Sequence, residues 1–226
     1  MGVIRYLGAF IFILIGYYSL TTIGISTYSL VLFSFGVIPI LELVIPPSAS
    51  LNEPKSVIAY TIVLYAIVPL YFGLLIYFLI IIGQETNTLT LVGKITAMGM
   101  LHGIFGINMA HELGHRKSKL DQYLAQLLLW SSQYTHFFIE HNRGHHKRVA
   151  TLEDPATARK DETIFNFWKR SVRDSFISAW KLENDAQIRE NKAVFRWNND
   201  MVKYMVYQTA LIVVIWCTLG TITLLY

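Results

Sequence analysis

Five apolar runs, each close to twenty residues, restrict this chain to very few folds. They lie at about 6–26, 28–46, 57–83, 91–110 and 201–226. A helix needs about 20 residues to cross about 30 Å of hydrocarbon. In lipid every backbone N–H and C=O must find its partner within the protein, so such runs are read as helices. Composition agrees: 54% of residues are hydrophobic and only 15% charged, where soluble domains average about a quarter charged. The expected fold class is all-α, a multi-pass membrane helix bundle with a polar, histidine-rich cap. Residues 1–110 would form four spans, 111–200 the cytoplasmic or interfacial cap, and 201–226 a fifth span.

The links between runs fit this division. Arg5 precedes the first run as in a signal peptide, but no small-residue cleavage site follows, so a retained span is expected. Tyr6 stands where a myristoylation signal needs Ser or Thr. A minimal polar link at 22–28 implies a tight hairpin. Pro46 and Pro47 close the second run, and 49–56 is a polar turn carrying Glu53 and Lys55. Gly99, Gly103 and Gly106 in the fourth run are expected to admit a neighbouring helix closely. Glu42 and Lys94, each near a span end, are read as snorkelling side chains. The last run stops at Tyr226 with no polar flank, the pattern of a protein truncated at its C-terminus.

Residues 111–203 hold 16 of the 19 Lys and Arg and 12 of the 15 Asp and Glu. One basic block between apolar stretches is what the positive-inside rule places in the cytoplasm. Four spans from an inside amino terminus return the chain to that side. Acids and bases are interspersed and no nucleic-acid module is present, which argues against a nucleic-acid partner. The one cysteine, Cys217, excludes an intrachain disulfide and a cysteine-rich metal or iron–sulfur site.

The polar block opens with His111-Glu112-Leu113-Gly114-His115 and continues, 26 positions on, with His141-Asn142-Arg143-Gly144-His145-His146. Neutral imidazole binds iron, zinc, copper and nickel. A mononuclear zinc site takes three or four protein ligands, so five clustered histidines suit half of a two-metal site better. Residues four apart on an α-helix share a face. His111 and His115 are therefore expected to face one metal, and His141 and His145 likewise, with His146 about 100° away and free for a neighbouring metal. His102 and His136 fall on other faces and are assigned to packing or, for His136, to supporting the ligands. Glu112 and Glu140 adjoin ligand histidines and are read as carboxylates that orient imidazoles. Residues 121–140 are too polar to cross lipid comfortably and must bring His141 back to the level of His115, as an interfacial or re-entrant helix pair.

His111–His115 also matches HExxH, which makes an intramembrane zinc metalloprotease the rival reading. It leaves His141, His145 and His146 without a role, and no Asp-Gly occurs to supply its third ligand.

At residues 108–115 (NMAHELGH), 136–146 (HFFIEHNRGHH), 149–156 (VATLEDPA) and 178–183 (SAWKLE) the chain resembles the alkane 1-monooxygenase family of the membrane fatty-acid desaturase-like superfamily. HxxxHH in the second box points to the alkane hydroxylase and xylene monooxygenase branch rather than to general desaturases. The resemblance implies a bacterial inner-membrane enzyme with two non-haem irons. It would use O2 to hydroxylate a terminal methyl group of an alkane drawn from the lipid bilayer. His111, His115, His141, His145 and His146 would be the ligands. Electrons would come from an acidic rubredoxin, docked on Arg116, Lys117, Lys119, Lys147 and Arg148. The family's third box, of HxxHH type, has no counterpart after His146, so these 226 residues alone are expected to be inactive.

Overall fold

The computed structural model describes residues 4–45 and 57–226. The predicted closure at Pro46 and Pro47 and the turn at 49–56 lie outside the described residues. Among the described residues the regular structure is entirely helical. Contacts divide the chain into two units, one holding the residues up to Asn108 together with Val214–Tyr226, the other Met109–Val213.

In the first unit, α1 (Ile4–Thr21) turns through a 3-10 segment, Gly24–Tyr28, into α2 (Ser29–Leu32). A π-helical turn, Phe33–Val37, then leads into α3 (Ile38–Val44). Helix α4 (Val57–Ile82) follows, then α5 (Thr88–Leu101), which runs on through a π-helix at His102–Asn108. Among the described residues, four helical runs are long and apolar enough to cross a membrane: Gly24–Val44, Ile58–Ile82, Thr88–Gly114 and Asp200–Leu225. The first apolar run folds as α1, whose 18 residues are nearly the length a span needs.

The predicted hairpin is held by side chains. Ser19 Oγ accepts from Leu30 N (3.1 Å), Thr90 Oγ1 from Gly24 N (2.9 Å), and Tyr28 Oη donates to the Leu89 carbonyl (3.2 Å). Asn87 caps α5 by accepting from Thr90 N at 3.0 Å. The close approach expected at Gly99 and Gly103 is not there, because a Cβ on either would meet nothing within 4 Å. It occurs at Gly93, where any Cβ would collide with Thr27 and Tyr28. Lys94 does not snorkel to water: it is buried and bonds Glu85 at 2.9 Å. Tyr71, Leu101, Met98 and Ile67 are fully buried, while Leu14, Phe35, Leu43 and Ile58 stand exposed, as lipid-facing side chains do.

In the second unit, α6 (Met109–Gly114) leads to α7 (Lys119–Ser131), capped by Ser118. Its 13 residues span about 20 Å, too short to cross hydrocarbon. The chain reverses at Gln133, whose φ is 55°. It continues as α8 (His136–Ile139), a second π-helix (Glu140–His145) and the single turn α9 (His146–Arg148). Helix α10 (Ile164–Arg189) packs against α8 and the π-helix. Ile139, Ala179, Met201 and Tyr204 form a core flanked by Phe176, Trp180 and Leu182. Two ion pairs fasten the π-helix to its surroundings: Arg143 to Glu183 (2.5 Å), and Arg148 to Glu140 (2.8 Å) and Ser178 (2.7 Å). The final helix, α11 (Asp200–Leu225), is broken at Gly220, where φ is 85°.

Candidate metal centre

Helix α6 carries His111 and places His115 one turn on, and the α7–α8 reversal brings His141 back to them. His111 Nε2 and His115 Nε2 stand 2.8 Å apart, His115 and His141 Nε2 3.1 Å, and His141 and His146 Nε2 3.1 Å. The ligand atoms of His111, His115 and His141 all lie within 4.8 Å of one another. Residues 121–140 therefore do return the second cluster to the first.

The second cluster differs from the α-helical expectation. Residues 140–145 are π-helical, and His146 N–H bonds the His141 carbonyl, five residues back. The i→i+5 bonding of a π-turn swings position i+5 round toward the side of position i, and here it is His146 that brings its Nε2 to His141. His145 keeps its ring beside His141, with centroids 5.3 Å apart and planes 21° off parallel. Its Nδ1 turns to Asp154 Oδ2 at 2.9 Å. A Cβ at Gly144 would displace the Glu140 and Arg148 side chains, which pack against this turn.

His111, His115 and His141 form the mutually close set that could hold a metal ion, and His146 joins it through His141. Adjacent nitrogens stand about 3.3 Å apart around a tetrahedral ion 2.05 Å away, and about 2.9 Å apart around an octahedral one. The three observed separations, 2.8 to 3.1 Å, are of this order and do not choose between the two. Burial, reinforced by the neighbouring imidazoles, pushes His141 down to about 3, so its ring is neutral and can offer a lone pair. Phe137 stacks on His141, centroids 4.8 Å and planes 16° apart, and fixes the plane of that ring.

The carboxylates fall out differently from the sequence reading. Glu140 is buried, with Oε1 on Arg148 and Oε2 without a partner, and it bonds no imidazole. Burial raises its pKa despite Arg148 and Ser178. Glu112 is half-exposed and pairs loosely with Arg116 at 3.9 Å. The carboxylate that meets a histidine is Asp154, which the sequence reading did not single out. It is a buried residue accepting from His145 Nδ1, from Thr157 Oγ1 (2.5 Å) and from Ala156 N (3.0 Å). Its burial pushes the carboxyl up, but the bonds from Thr157, Ala156 and His145 outweigh that and hold it below the usual range. The signal in the sequence was weak, one of two adjacent acids, nine residues past His145, with no helical period to link them.

His136 sits in T-shaped contact with Tyr134 and Phe176, and its Nε2 has no hydrogen-bond partner. It packs and does not touch the cluster's imidazoles. His102 bonds Tyr71 Oη at 2.6 Å within the first unit. Of the basic residues, Lys117, Lys119 and Lys147 are exposed. Arg148 is committed to Glu140 and Ser178, which removes it from the predicted docking face. Lys147 lines a cleft of about 530 Å³ with Arg143 and Arg189 and the acids Glu153 and Asp185.

Fold and site together define a membrane helix protein with a histidine cluster that could hold a metal. The fatty acid desaturase family profile matches residues 86–226, and the chain belongs to that family. Its relatives include the alkane 1-monooxygenase of Ectopseudomonas oleovorans, 33% identical over 85% of this chain and 50% of the relative. The alkane 1-monooxygenase 1 of Alcanivorax borkumensis is 32% identical over 94% of this chain and 55% of the relative. The alkane 1-monooxygenase of Pseudomonas putida is 33% identical over 78% and 46%. The chain spans about half the length of the curated relatives it matches.

Proposed function

We propose that this chain carries part of the iron site of a membrane monooxygenase that hydroxylates the terminal methyl of an alkane. The observation that carries the reading is the meeting of His111, His115 and His141 from two histidine boxes, with His146 Nε2 3.1 Å from that of His141, in a chain related to alkane 1-monooxygenases. His111, His115, His141 and His146 would hold one iron, and His145, turned by Asp154, would serve a second. When bound, iron supplies the activation of O2 that no side chain can perform.

The chain's own residues bind, orient and shield. Phe137 keeps the His141 ring in plane, and Arg143 and Arg148 anchor the box helix to α10 and Glu140. The span candidates would form the route by which an alkane dissolved in lipid arrives. Lys117, Lys119 and Lys147, with Arg116, would present positive charge to an acidic rubredoxin as electron donor. The bacterial alkane 1-monooxygenase relatives point to an inner membrane, and the charge distribution favours placing the amino terminus and both boxes on its cytoplasmic side.

The HExxH protease reading needs only His111 and His115 and leaves unexplained why His141 and His146 join them. Its general base would be Glu112, which is half-exposed and turned toward Arg116.

Five histidines fall short of the family's pattern for two irons, so these 226 residues alone should yield no product. The test is a chimera in which the chain is continued by the C-terminal half of the Pseudomonas putida relative. Supplied with rubredoxin, its reductase, NADH and a linear alkane, it should form the 1-alkanol, and His141→Ala should abolish it. Equal product from the His141→Ala chimera would refute the assignment.

A further inference from the structure

Asp154 lies on the loop that follows the second histidine box, yet it is only 1% exposed. Both its oxygens are used. Oδ1 accepts from Ala156 N, an ordinary turn bond. Oδ2 accepts from Thr157 Oγ1 and lies 2.9 Å from His145 Nδ1. The turn needs only the first of these bonds. The loop is further closed by Ala150 N on Thr157 Oγ1 (3.0 Å) and by Thr157 N on the Asp154 carbonyl (3.3 Å). The carboxylate is thus held from behind and presented to one nitrogen of one histidine.

We propose that Asp154 is a positioning residue that fixes the tautomer and ring orientation of His145, reserving its Nε2 for a metal. An ionised carboxylate only accepts hydrogen bonds. A neutral His145 facing it must therefore carry its proton on Nδ1, which leaves the lone pair on Nε2 at the far edge of the ring. His145 differs here from His111, His115, His141 and His146, whose Nε2 atoms already face one another. The ligand class is a divalent first-row metal ion of the kind imidazole binds. The inference deepens the reading of His145 as a ligand and rests on it.

Asp154→Asn keeps the shape and the acceptor for Ala156 but can present an NH2 to His145. The ring would then accept at Nδ1 and carry its proton on Nε2, the wrong tautomer for metal. Losing such an outer partner lowers metal affinity by about 10- to 100-fold.

Two measurements on the full chain in detergent test this. Nitrogen-15 spectra of the metal-free protein at pH 8, with the His145 signal assigned by its loss in His145→Gln, should show the Nδ1–H tautomer. In Asp154→Asn it should switch to Nε2–H. An Nε2–H tautomer in the unsubstituted protein overturns the proposal whether or not the variant folds. Cobalt(II) titration should show the 10- to 100-fold loss for Asp154→Asn, and no further loss when Asp154→Asn is added to His145→Gln. An equal loss in both backgrounds would mean that Asp154 acts through its loop and not through His145, which also overturns it. If the unsubstituted chain takes up no cobalt while His145 shows the Nδ1–H tautomer, the metal reading fails and the Asp154–His145 relationship stands.

Discussion

Arg148 reaches back over Gly144 to Glu140, its Nη2 2.8 Å from Oε1. The pair occupies the space a Cβ at 144 would need. Gly144→Ala should therefore cost about 1–3 kcal/mol through overpacking, read as a lower melting temperature and weaker metal uptake. Arg148→Ala strands Glu140 in a buried site, a loss of the class that costs about 3–5 kcal/mol for a buried pair. A melting temperature unchanged in both variants would contradict the geometry.

Arg148 is a structural residue, so the docking face narrows to its exposed neighbours. Reversing Lys117, Lys119 and Lys147 to Glu should slow reduction by rubredoxin about tenfold or more at low salt, with the difference shrinking as salt screens the charges. Stopped-flow reduction of the chimera at two ionic strengths measures this. Identical salt dependence in the two proteins would remove the face from the account.

His136 supplies a pH prediction. Burial lowers it to about 4, below the unfolded value of about 6.5. Between those values the unfolded chain binds the proton and the folded one does not. The contribution to stability is thus complete above pH 6.5 and lost as pH falls toward 4, by up to about 3 kcal/mol. Its ring contacts are the aromatic rings of Tyr134 and Phe176, so His136→Phe should fit. The variant should lose less stability than the parent between pH 6.5 and 4, as thermal melts would show. Parallel curves would contradict it.

The return of the chain between the two boxes can be tested directly. Cysteines introduced one at a time at Lys117 and Lys147, in a Cys217→Ser background, should be labelled by an impermeant maleimide from the same side of the membrane. Labelling from opposite sides would place residues 121–140 across the bilayer and separate the histidines.

Much of this was legible in the sequence because two periodicities carried it. Apolar runs of about twenty residues announced the long helices, and the four-residue spacing of His111 and His115 placed both rings on one face. The reading failed where the backbone left the α-helix. A wheel of 3.6 residues per turn paired His141 with His145, whereas the π-helix at Glu140–His145 brings in His146. Tertiary partners were equally hidden: Glu140 adjoins a ligand in sequence yet belongs to Arg148, and Asp154 reaches His145 only because a loop folds back. Gly99 and Gly103 looked like helix-contact residues, but the contact formed at Gly93, next to Thr27 and Tyr28.

The central claim is that His111, His115, His141 and His146 hold one metal ion between them. Anaerobic equilibrium dialysis of the full chain against iron(II) tests it most directly, with His141→Ala and His102→Gln alongside. The account predicts stoichiometric binding, lost by a factor of about 100 or more in His141→Ala and unchanged in His102→Gln, whose histidine is engaged with Tyr71. Binding that survives His141→Ala, or none in the unsubstituted chain, would contradict it.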